Sequence, residues 1–228
     1  AMLVYQALLL GGYSYAHWLR RFDVRRQAAI QIGMLLGASF WLPIGLMAMD
    51  LPTGAEPALW VPWLLIASIG PLFLAVSAQA PLVQRWFSAA SGGRDPYALY
   101  AASNLGSFAG LLAYPLIVEP LLPISGQRWL WSGGYLLLLA LVLLCAVRLP
   151  KGGAELHSRA DHPAPPIRRI ALWIAYAFVP SGLMLATSTF LTTDIVAVPM
   201  LWVLPLGLYL LSFTVAFAAR QGPAQMMA

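Results

Sequence analysis

The chain has 228 residues, 61% of them hydrophobic and only 9% charged, with a formal charge of +5. Soluble domains carry about 25% charged residues, so this composition excludes a soluble enzyme fold and predicts an all-α polytopic membrane protein. The positive balance is arginine apart from Lys151 and sits in short stretches between apolar runs, where it signals topology rather than a nucleic-acid surface.

The opening, Ala1 to Tyr5, is apolar with no charged region or small-residue cleavage site, so it does not read as a signal peptide. Together with the soft tail 221–228 it reads as a chain entered part-way through. A helix needs about 20 apolar residues to cross a bilayer core. On that ruler seven spans are predicted, 1–19, 28–49, 59–83, 97–118, 129–148, 169–190 and 195–219. They divide into a five-helix membrane bundle over 1–148, a flexible linker rich in Gly and Pro over 149–167, and a two-helix hairpin over 168–220. Prolines such as Pro43, Pro71, Pro81, Pro115 and Pro180 fall in or near spans, where a bundle tolerates the missing backbone donor.

Charge then tests the span count independently. Arg20, Arg21, Arg25 and Arg26 follow the first span, Arg85 and Arg94 the third, and Arg168 and Arg169 come directly after the linker. The intervening stretches hold Asp50, Glu56, Glu119 and Asp194, with Arg128 as their only basic residue. The positive-inside rule makes the arginine-rich side cytoplasmic. Cys145, the one cysteine, lies in an apolar span and reads as a small buried hydrophobe.

The fourth span is the least plain. At about 100° per residue, Tyr97, Tyr100, Asn104, Ser107 and Tyr114 share an arc of roughly 100°. Ala102, Gly106, Ala109, Gly110 and Ala113 lie roughly opposite, and Gly106 and Gly110 form the GxxxG spacing of closely packed membrane helices. Asn104 needs hydrogen-bond partners at that depth, and it either lines a cavity for a polar solute with Tyr100 and Ser107 or fixes helix packing. Asp95 before Pro96 reads as a helix cap. Glu119 and Asp194 are solvated acids or entrance groups for a cation. The hydroxyl-rich stretch Thr187 to Thr193 reads as backbone-bonding, and Gln79, Gln84 and Arg85 gather where the third span leaves the membrane.

No span carries an ionisable group near its middle, where proton- and cation-coupled transporters need one. His17, His157 and His162 have no metal-ligand spacing, and no nucleophile–base pair converges, so no metal, cofactor or catalytic residue is predicted.

Two sets of residues carry a resemblance. Gly12 to Arg26, a Gly followed by paired arginines, is similar to the loop between the second and third helices of the major facilitator superfamily. Ala16 or His17 stands where that motif has an Asp, so the gating role of the acid does not carry over. On that alignment one N-terminal helix is missing and the linker falls at the central cytoplasmic loop. The ordered segments Leu3 to His17, Ala80 to Phe87, Asp95 to Ser107, Tyr114 to Pro120 and Leu191 to Pro205 resemble the membrane portion of bacterial fused major-facilitator/spermidine-synthase-like proteins. The resemblance implies a partial major-facilitator-like bundle in a bacterial inner membrane, with a cytoplasmic aminopropyltransferase-like domain as a possession of the family. No strand–Gly-rich-turn–helix unit for an adenosyl cofactor is present in the 228 residues. The expected function is a non-catalytic membrane module that anchors such a domain or serves as accessory subunit of a larger membrane complex. The alternative is a transporter of a small polar or polyamine-type solute. The expected partners are the lipid bilayer and other membrane subunits or a fused domain, not nucleic acid.

Overall fold

The computed structural model describes residues 2–50, 52, 54, 56–149, 165–195 and 203–217, and among these the only regular structure is helical. Helix α1 covers Met2–Leu19 and α2 covers Val24–Ala38. Asp23 caps α2: its carboxylate accepts the Arg26 backbone N–H at 3.3 Å and pairs with the Arg26 guanidinium at 3.2 Å. The second predicted span, 28–49, is corrected here. Its helix ends at Ala38, tightens into a single 3₁₀ turn over Ser39–Trp41, and leaves Leu42 extended (φ −83°, ψ 147°). Pro43 is the reason, because a residue before proline is pushed out of the α region.

The third run is longer than predicted. α3 (Pro57–Ser77) and α4 (Gln79–Ala90) follow one another with a break at Ala78. Pro81 has no N–H to give the Ser77 carbonyl and crowds it sterically, which places the break one turn before the proline. α5 covers Tyr97–Ala113, passes through a π-helical turn at Tyr114–Val118 and ends in the short α6, Glu119–Leu121. Pro115 opens that turn, again withholding a donor. Asp95 does not cap α5. Pro96 itself occupies the cap position with no side-chain bond, one residue closer to the helix than the carboxylate. α7 (Ile124–Val147), α8 (Ile167–Phe190) with a π-helical extension Leu191–Ile195, and α9 (Val203–Ala216) complete the described residues. Among the described residues, four helical runs are long and apolar enough to cross a membrane: Pro57–Ala90, Tyr97–Leu121, Ile124–Val147 and Ile167–Asp194. Val203–Ala216 is apolar but shorter. The linker and tail, apart from 149 and 165–167, lie outside the described residues, as does the start of the seventh predicted span.

The chain divides into two compact units. In the first, within Ala1–Arg94 and Leu122–Glu155, α1 packs on α3, and α2 packs on both α3 and α7. Leu19, Leu35, Leu72, Leu82 and Trp86 form its core. The closest approach is at Gly11 and Gly12. A Cβ on Gly12 would collide with Ser77 Oγ and lie 3.2 Å from the Leu74 carbonyl oxygen. Only glycine lets α1 sit this near α3.

The second unit, within Asp95–Leu121 and Leu156–Ala228, holds α5, α6, α8 and α9, with α5 packed along α9. This grouping differs from the boundary read in the sequence, which placed 97–118 with the first five spans. Aromatic rings account for it: Tyr97 and Tyr100 lie 5.9 and 5.3 Å from Phe217, and the ladder continues through Phe213 to Tyr209. Gly207 admits Phe108, whose ring lies 3.2 Å from where a Cβ would be. α8 contributes little to this packing, and its residues from Ile167 to Ser181 are all exposed.

Candidate functional site

The sequence placed its candidate site on α5. Asn104 is half-buried and donates from Nδ2 to the Tyr100 carbonyl oxygen of its own helix at 2.8 Å. One of its amide protons is thereby spent on backbone one turn away. The Tyr100 ring lies tilted against Phe217 and Ser107 is exposed, so the three do not enclose a cavity among the described residues. Gly106 and Gly110 are exposed with nothing within 4 Å of either added Cβ, and Ala102 is exposed while Ala113 is half-buried. The small face is therefore unused within the described part of this unit, because α5 turns Phe108 toward α9 instead. Glu119 is exposed on α6, and Asp194 accepts the Thr193 hydroxyl at 3.0 Å. The threonines bond backbone: Thr189, Thr192 and Thr193 donate to the carbonyls of Leu185, Ser188 and Thr189. Arg168 and Arg169 are exposed at the start of α8, with the Arg169 guanidinium 5.5 Å from the Trp173 ring centroid.

In the first unit the arginines gather at one end of the helices. Arg20 and Arg21 follow α1, Arg25 and Arg26 open α2, and Arg25 Nη2 donates to the Leu149 carbonyl beyond α7 at 3.2 Å. Arg85 lies in the second half of α4, next to Trp86, whose indole N–H reaches Gln27 near the start of α2. Arg128 lies near the opposite end, on the first turns of α7, as the alternation of charge in the sequence requires.

Between these ends runs a polar seam that the sequence reading did not find. Gln27 and Gln31 are both fully buried on α2, at 0% exposure. Gln27 Nε2 donates to the Phe22 carbonyl at 2.8 Å, and its Oε1 accepts the Trp86 indole N–H at 3.3 Å. One turn on, Gln31 Nε2 donates to the Ala75 carbonyl at 2.9 Å, just before the α3–α4 break. Gln31 Oε1, both amide atoms of the buried Gln79 and the Tyr15 hydroxyl have no protein partner among the described residues. Farther along α2, the Tyr135 hydroxyl donates to the Leu35 carbonyl at 2.8 Å. The spacing of Gln27 and Gln31, four residues apart on one helix face, is the signal that finds them.

A cleft of about 460 Å³ opens in the same unit, lined by residues 40–43 and 45–47 with Ser68 and Arg128. The non-helical segment after α2 forms one wall and is pinned at three points. Trp41 Nε1 donates to the Ala67 carbonyl at 2.8 Å, the Met47 N–H donates to Ser68 Oγ at 3.0 Å, and Arg128 Nε donates to the Ile44 carbonyl at 2.7 Å. Gly45 lets the guanidinium lie against the backbone, since a Cβ there would be 2.7 Å from Arg128 Nη2. Comparisons with protein-family models, curated proteins and solved structures found no match to the chain.

Proposed function

We propose that the chain is a non-catalytic membrane module that anchors an aminopropyltransferase-like domain or acts as accessory subunit of a larger membrane complex. The observation that carries this reading is the exposed apolar surface of α8. Tyr176 is 72% and Phe178 73% exposed, and the helix presents apolar side chains around its whole circumference over four turns. A helix apolar on all sides is at rest only in lipid or among other helices. Gly106 and Gly110 on α5 add a face small enough for a further helix to approach closely. On this reading seven spans form a partial major-facilitator-like bundle of a bacterial inner membrane, with the arginine end cytoplasmic. A cysteine replacing Arg21 is then labelled only from the cytoplasmic side and one replacing Gly54 only from outside; the reverse pattern would overturn the sidedness.

A second reading, a transporter of a small polar or polyamine-type solute, is favoured by one observation, the unpartnered amide atoms of Gln31 and Gln79 inside the first unit. The α5 residues separate the two readings. Asn104→Leu removes only a bond to its own helix, so an assembled, stable protein with unchanged partners is expected. Loss of solute flux in that intact variant would support transport through Tyr100, Asn104 and Ser107 and count against the anchoring role.

A further inference from the structure

We propose that the cleft beside Arg128 binds the phosphate of a phospholipid headgroup, an inference that rests on the membrane reading above. The cleft combines one cation with apolar walls. Arg128 is exposed, lines the cleft and spends Nε on the Ile44 carbonyl, which fixes the guanidinium plane against Gly45 and leaves the Nη groups with no hydrogen bond to protein among the described residues. No carboxylate lies within ion-pair distance of it among the described residues. Planar guanidinium donors match phosphate oxygens in pairs. Around it stand Phe40, 87% exposed, and Leu46, 62% exposed, which suit an acyl chain rather than a free anion.

Depth along the bundle is the independent argument. Arg128 lines the cleft, and Arg148 stands at the C-cap of α7 at the arginine end, next to Leu149, whose carbonyl accepts Arg25 Nη2. At ~1.5 Å per residue the unbroken helix α7 rises about 30 Å from Arg128 to Arg148, close to the ~30 Å hydrocarbon thickness of a bilayer. Arg128 and the arginine end are thus one hydrocarbon layer apart, which puts the cleft at the headgroup level of the opposite leaflet. Trp41, Trp129 and Trp131, all exposed, surround that level as interfacial tryptophans do.

The test is native mass spectrometry of the full chain in mild detergent with short-chain phosphatidylglycerol, and in parallel with inorganic phosphate. Retention of the lipid, weakened roughly tenfold in Arg128→Gln, is the expected result. Because Arg128→Gln also loses the Ile44 bond that pins the cleft wall, Phe40→Glu serves as the second variant. It sets a carboxylate at the mouth and leaves every hydrogen bond intact, and it should weaken lipid retention similarly. Lipid retention unchanged in a folded Phe40→Glu protein, or inorganic phosphate retained as strongly as the lipid, would overturn the proposal. A chain that stays in solution without detergent would instead refute the membrane reading itself.

Discussion

Replacing Gly12 with alanine is expected to cost about 1–3 kcal/mol, and replacing it with leucine to prevent recovery of the assembled protein. The added Cβ meets Ser77 Oγ, which can rotate away, but also the Leu74 carbonyl oxygen at 3.2 Å and Ser77 Cβ at 3.0 Å, which cannot. Relief requires α1 to back away from α3, and their packing is the most extensive in the first unit. Gly106 supplies the contrast. It is helical, exposed and meets nothing within 4 Å, so Gly106→Ala should leave the isolated chain equally or more stable, by about 0.5–1 kcal/mol. Thermal unfolding in detergent compares the two directly, at roughly 2–4 °C per kcal/mol for a chain of this size. Equal melting temperatures for Gly12→Ala and the parent would show that α1 and α3 are not in this contact.

The second large effect is expected at Gln27. Gln27→Leu leaves the Trp86 indole N–H and the Phe22 carbonyl without their partners. Trp86 is 2% exposed, so water does not replace the lost acceptor, and an unsatisfied buried donor costs about 1–3 kcal/mol. Trp86→Phe removes the donor as well as the pairing and should be cheaper than its loss of ring volume suggests when made in the Gln27→Leu background. A double-mutant cycle read by thermal unfolding should give a coupling of roughly 0.6–1.7 kcal/mol, the range of interhelical hydrogen bonds in membrane proteins. A coupling of zero would mean that the two side chains do not meet.

The helices themselves were largely legible, because an apolar run of membrane length has few other structures open to it. The early end of α2 and the break at Ala78 were legible in principle, since Pro43 and Pro81 each act at a fixed offset. Facing was not. α3, α7 and α8 are apolar on every side, so hydrophobic periodicity, which tells a soluble helix which way to turn, carries little information. For that reason the GxxxG of α5 attracted attention that the contacts give to Gly12 and Gly207. Burial of Gln27 and Gln31 was hidden for the same reason, since their partners Trp86 and Ala75 on α4 and α3 are far away in sequence. The alternation of arginine with acidic stretches was the most transferable signal, because it depends on which end of a helix a charge occupies and not on which face. In the first unit that alternation reappears as arginines at one end and Arg128 near the other.

The most direct measurement is purification of the native protein in mild detergent, with mass spectrometry of everything that co-migrates. The account predicts either stoichiometric membrane partners seated on the exposed helices or a cytoplasmic domain carried on the same polypeptide. A chain that migrates alone, with no attached domain, and moves a solute across vesicles unaided would contradict it.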